Sequence, residues 1–133
     1  MVEFKASSGT TIIVNEAGWA EAKRLKMAVQ SELAHAGISL SLDEDVGQLL
    51  SAFLKVDSSK SVDDALWPCL ARCTRNGNKI TESLFDEDKA ARRDYYEIVL
   101  ACAKENLFPL YESLYLKLKC FLKAKNLVAK NPQ

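Results

Sequence analysis

The chain has a single histidine, His35, so the pairs of imidazoles from which many metal and proton-transfer sites are built are missing. Its five glycines are scattered, which leaves no glycine-rich loop to cradle a phosphate, and no nucleophile elbow is present. An excess of charge is lacking too. Eighteen basic and eighteen acidic side chains give a formal net charge of zero, which argues against a surface built as a whole to hold nucleic acid and leaves any charge-driven contact local. Long apolar runs are absent: nothing approaches the length of a membrane span, and Met1 to Gly9 offers no signal-peptide core. These absences predict a chain that stays in the cytoplasm where it is made and works without a catalytic residue, metal or cofactor, touching neither membrane nor nucleic acid.

What is present is an ordinary globular composition. With 133 residues, 48% hydrophobic and 27% charged, the chain suits one hydrophobic core and is too apolar for disorder. Cys69, Cys73, Cys102 and Cys120 lie in apolar, helix-like segments, and the Cys69–Cys73 spacing is not the CxxC of zinc sites. They read as reduced core residues.

Along the chain, Phe4 to Val14 contains a Ser-Gly turn signal followed by a β-branched run, which predicts a small hairpin. Helical spacing follows. Asn15 is the predicted cap of a helix to about Ala36, with Ala22, Leu25, Val29, Leu33 and Ala36 on one stripe and Gly37 as the stop. Ser41 to Glu44 forms a capping box ahead of a helix with Val46, Leu49, Leu50, Phe53 and Leu54 inward, ended by Asp57-Ser58-Ser59. A third helix starts at Ser59 or Ser61, buries Val62, Ala65, Leu66, Cys69, Leu70 and Cys73, is bent by Pro68, and stops near Asn76-Gly77-Asn78. Lys79-Ile80-Thr81 reads as a short extended piece. Asp86-Glu87-Asp88 suits the start of a helix carrying Tyr95, Ile98, Val99 and Cys102. Asn106 to Pro109 is predicted to break it, with Pro109 opening a last helix through Leu110, Leu114, Leu118, Phe121 and Leu122. The expected fold class is mainly α: one domain of about five amphipathic helices with a small N-terminal β-hairpin. The hairpin covers 1–14, the helices 15–126, and a flexible tail 127–133.

Binding information concentrates in the large aromatics, since Trp and Tyr dominate interface hot spots. The candidates are Trp19, Trp67, Tyr95, Tyr96, Tyr111 and Tyr115. Tyr95 and Tyr96 are adjacent and cannot both face one core, whereas Tyr111 and Tyr115 share a helix face. Trp67, beside Pro68 in an apolar run, is expected to be a packing corner whose truncation costs about 3–5 kcal/mol. The acidic groups Asp43-Glu44-Asp45, Asp63-Asp64 and Asp86-Glu87-Asp88 read as helix starts or, more sharply, as an acidic face for a basic partner. After Glu112 there is no acid, and Lys117, Lys119, Lys123, Lys125 and Lys130 make that end locally basic, which reads as a polar helix face or a docking surface for an acidic segment. Self-association through an uncovered apolar stripe is also expected.

Three segments resemble a tail assembly chaperone family of long-tailed bacteriophages: Ile13-Val14-Asn15 with the following helix through Leu25-Lys26, Ala65 to Thr74 ahead of Asn76-Gly77, and Asp94 to Val99 with Asn106-Leu107. The resemblance runs from about Phe4 to Leu114. It implies a non-catalytic protein that binds the tape measure protein and helps tail tube protein polymerise around it, the latter through a longer frameshifted form sharing this domain. Two rival readings are a structural head-tail connector component and a small regulator that binds nucleic acid.

Overall fold

A computed structural model of the chain describes residues 1–39 and 46–130, with side chains described as far as Leu110. Among the described residues the architecture is mainly α, with five helices and a small antiparallel sheet. The predicted hairpin forms: β1 (Val2–Lys5) pairs with β2 (Thr11–Val14), Val2 opposite Val14. Gly9 sits at φ +86 in the connecting turn, a left-handed position that a residue with a Cβ adopts only under strain. The pleat of β2 sends Ile12 and Val14 inward, where both are fully buried.

The hairpin is half of the sheet. The free side of β2 pairs with β3 (Thr74–Arg75), which pairs with β4 (Asn78–Lys79), so the strand order is β1-β2-β3-β4. Asn76-Gly77, predicted as a helix stop, is therefore a two-residue hairpin turn. Asn76 at φ 49 and Gly77 at φ 82 are both left-handed, as a type I′ turn requires. The Asn76 amide donates to the Thr11 carbonyl at 2.8 Å and its side-chain oxygen accepts from the Thr11 amide at 2.9 Å, locking the turn to β2. An added Cβ at Gly77 would meet nothing within 4 Å, so Gly77→Ala carries backbone strain alone. Urea unfolding of that variant should show a loss of about 1 kcal/mol with an unchanged m-value.

Helix α1 (Trp19–His35) buries Ala22, Leu25, Val29 and Leu33, as the spacing predicts, but leaves Ala36 exposed. It ends in a Schellman motif: Ile38 donates to the Leu33 carbonyl at 2.8 Å, Gly37 donates to Ala34, and Gly37 has φ +71. Its start differs from expectation. The helix opens after Gly18, whose amide donates to Glu21 Oε1 at 3.2 Å, while the side chain of Asn15 donates to the Arg72 carbonyl at 3.0 Å and joins β2 to the end of α3. Helix α2 (Val46–Val56) buries Leu49, Ala52, Phe53 and Val56, and Leu54 turns outward at 42% exposure. The predicted capping box at Ser41 to Glu44 lies outside the described residues.

Helix α3 (Lys60–Leu70) is capped by Ser59, whose hydroxyl accepts from Val62 N at 3.2 Å. It stops at Leu70, two residues past Pro68 and well before Asn76. After the short α4 (Glu82–Glu87), Asp88 caps α5 (Lys89–Lys130) by accepting from the Ala90 amide at 2.9 Å. Only Asp88 of the acidic triplet starts a helix, because Asp86 and Glu87 belong to the end of α4. The break expected at Asn106 to Pro109 is absent, since α5 continues through Pro109 to Lys130. Proline removes the bond to the Glu105 carbonyl, but good helix formers such as Leu110, Glu112, Leu114 and Leu116 follow and carry the helix on. At 42 residues α5 is about 63 Å long.

The amino-terminal half of α5 is the spine of the core, where Ile98, Val99, Cys102, Ala103 and Leu107 pack with Ile12, Leu25, Phe53, Leu66 and Leu70. Polar braces join the sheet to it. Asp94, at 0% exposure, accepts from Ser8 Oγ at 2.5 Å, Ser8 N at 3.2 Å, Thr10 Oγ1 at 3.0 Å and Arg75 Nε at 3.3 Å. Arg75 also pairs with Asp88 at 3.1 Å, and Glu97 holds Ser7. Asn106 accepts from Ala17 N and donates to the Cys102 carbonyl, each at 2.8 Å. The buried Cys69, Cys73 and Cys102 are free. Burial pushes the Cys69 thiol up to about 12, while the neighbouring Cys102 holds the Cys73 thiol below its ordinary value.

Candidate protein-binding site

Three contacts tie the strands and helices together at the braces. Asn15 reaches the Arg72 carbonyl, Cys73 neighbours Cys102, and Asn106 holds Ala17. Most of those residues serve folding. The surface that can serve a partner lies on α3, α4 and α5.

Ser59 caps α3, and the helical period of about 3.6 residues puts Val62, Ala65, Leu66, Cys69 and Leu70 on one inward stripe, which leaves Trp67 at its edge. Trp67 is half-buried, and its indole Nε1–H donates to Asp63 Oδ1 at 3.2 Å, one turn earlier. It is therefore not the enclosed packing residue that its apolar neighbours suggested. Helix α4 presents Phe85, also half-buried, to Trp67, with ring centroids 6.2 Å apart at 65°. Phe85 meets Tyr95 of α5 edge-to-face at 5.2 Å, and Tyr95 meets Tyr96 at 5.1 Å, spacings at which aromatic pairs are favourable beyond their buried area. Arg92 fastens the junction by donating to the carbonyls of Phe85 at 2.5 Å and Asp86 at 3.4 Å. Cations are favoured where a helix ends.

The result is an open pocket of about 340 Å³ lined by Trp67, Glu82, Phe85, Arg92 and Tyr95. Its electrostatic setting is acidic. Burial and the nearby charges of Asp63, Asp57 and Glu82 push the Tyr95 phenol above its ordinary 10.0. Asp57 is itself raised, by burial first and by Asp63 in addition.

Of the residues singled out in sequence, Tyr95 and Tyr96 fall in this cluster, with Tyr96 55% exposed. Trp19 is 67% exposed in the first turn of α1 and is not among the residues lining the pocket. Tyr111, Tyr115, Lys117, Lys119 and Lys123 lie on α5 beyond the described side chains. Phe85, Glu82 and Arg92 were missed. The available signal was the apolar pair Leu84-Phe85 inside an otherwise polar stretch from Thr81 to Arg93.

Fold and site together define a mainly helical domain with an aromatic surface pocket. Among the described residues no helix is long and apolar enough to cross a membrane. Comparisons with protein-family models, curated proteins and solved structures find no match for this chain.

Proposed function

We propose that this chain is a tail assembly chaperone of a long-tailed bacteriophage, a non-catalytic protein of the host cytoplasm that binds the tape measure protein until tube subunits replace it. The observation that carries this reading is the open cluster of Trp67, Phe85, Tyr95 and Tyr96 at the α3–α4–α5 junction. Half-exposed aromatic rings on a rigid scaffold are the usual energetic centre of a protein interface. A long helical partner with exposed apolar stripes aggregates unless such surfaces cover it, and many modest contacts allow later displacement. The segments resembling the chaperone family support the same reading. A longer form would carry the contact to tail tube protein, and association of several copies would raise avidity for a repetitive partner.

Co-expression with the tape measure gene product of the same genome tests the proposal. The two should co-purify, and the chaperone should keep the tape measure protein in the soluble fraction. An insoluble tape measure protein, with this chain recovered alone, contradicts it.

A further inference from the structure

We propose that the Trp67–Phe85–Tyr95 pocket receives a lysine or arginine side chain from a basic amphipathic helix of the partner protein, an inference that rests on the protein-binding reading above. Three aromatic rings line or border the opening, and a cation within about 6 Å of a ring centroid is attracted by its negative face. Carboxylates surround them: Glu82 lines the pocket, Asp63 holds the Trp67 indole, and Asp57 adds its charge to the field at Tyr95. Arg92, the cation among the described lining residues, is fastened to the Phe85 and Asp86 carbonyls at the end of α4. Glu82 thus shares the lining with one tethered base, and Asp63 stands behind the Trp67 indole.

The volume and lining fit the same ligand. About 340 Å³ admits the methylene stem of a long basic side chain, and the apolar walls suit a stem whose charged head stays near solvent beside Glu82. A carboxylate entering here would meet like charge. A purely apolar side chain would cover Glu82 without giving it a partner, which carries a desolvation penalty. A helix supplies such a side chain together with flanking apolar residues for the exposed face of Tyr96.

The probe is a leucine–lysine model helix of about 18 residues, five turns long, compared with analogues in which every lysine is glutamine or glutamate. Each is titrated into the full-length, isotope-labelled chain while the Trp67 indole resonance is followed. The lysine helix should shift that resonance saturably and bind about tenfold more tightly than the glutamine helix, with the glutamate helix weakest. Glu82→Gln, at an exposed position in the first turn of α4, should weaken the lysine helix about threefold at an unchanged melting temperature. Equal binding of the lysine and glutamine helices, an unmoved Trp67 resonance, or an affinity indifferent to Glu82→Gln overturns the inference. Co-purification with the tape measure protein is read separately, so a chaperone whose pocket takes an apolar side chain would keep the function and lose this proposal.

Discussion

Asp94→Ala should lower the unfolding free energy by about 3–5 kcal/mol, the range for removing one partner of a buried ion pair. The variant strips three donors, the Ser8 amide, the Ser8 hydroxyl and the Thr10 hydroxyl, of their acceptor, and it leaves the buried Arg75 with only Asp88. The turn between β1 and β2 then loses its main attachment to α5. Asp94→Asn keeps the shape and one acceptor oxygen and should lose less. The same carboxylate sets an acid limit. Burial alone would raise its pKa, yet the hydrogen bonds from Ser8, Thr10 and Arg75 hold it below its ordinary 3.8. A group depressed in the folded state stabilises fully above its unfolded value, and that stabilisation is lost as pH falls through the folded one. The difference between wild type and Asp94→Asn should therefore be constant above pH 3.8 and shrink below it. Urea midpoints measured across that range check the sign. A difference that grows on acidification contradicts the assignment.

Trp67→Ala should show the opposite balance between stability and binding. A fully enclosed tryptophan costs about 3–5 kcal/mol on truncation, but Trp67 is only partly buried where it packs against the core and borders an open pocket, so the stability loss should be nearer 1–2 kcal/mol. The loss of partner affinity should be the larger number, about 2–4 kcal/mol for a central aromatic anchor. Thermal unfolding and calorimetric titration with the tape measure protein separate the two. A variant that binds normally but melts far below wild type would return Trp67 to the core.

Local periodicity carried much of the fold. Ala22, Leu25, Val29 and Leu33 of α1 with its Gly37 stop, Leu49 and Phe53 of α2, the inward positions of α3 and the β1–β2 turn are all encoded within a few neighbouring residues, whereas Leu54, expected inward, is exposed. Long-range demands overrode local rules elsewhere. Asn15 is a good capping residue, but its side chain is held by the Arg72 carbonyl, so α1 begins later. Asn-Gly is a strong hairpin signal, yet strands of two residues each are too short to show alternation, and the turn read as the end of a helix. Pro109 suggested a helix start and was absorbed inside α5. The pocket was half legible: the adjacency of Tyr95 and Tyr96 required one ring to lie outside the core, but nothing local joins Tyr95 to Phe85 on another helix or to Trp67 on a third. Trp67 looked buried because its neighbours Leu66, Cys69 and Leu70 are, but at about 100° per residue it lies off the stripe they form with Val62 and Ala65.

The most direct measurement is a footprint of the complex: amide exchange and indole resonances of this chain, free and bound to the tape measure protein. Protection should concentrate on Trp67, Phe85 and the Tyr95–Tyr96 turn of α5, with the sheet β1-β2-β3-β4 unchanged. Protection confined to the sheet or to the Trp19 face of α1, with the Trp67 indole unmoved, would contradict the account.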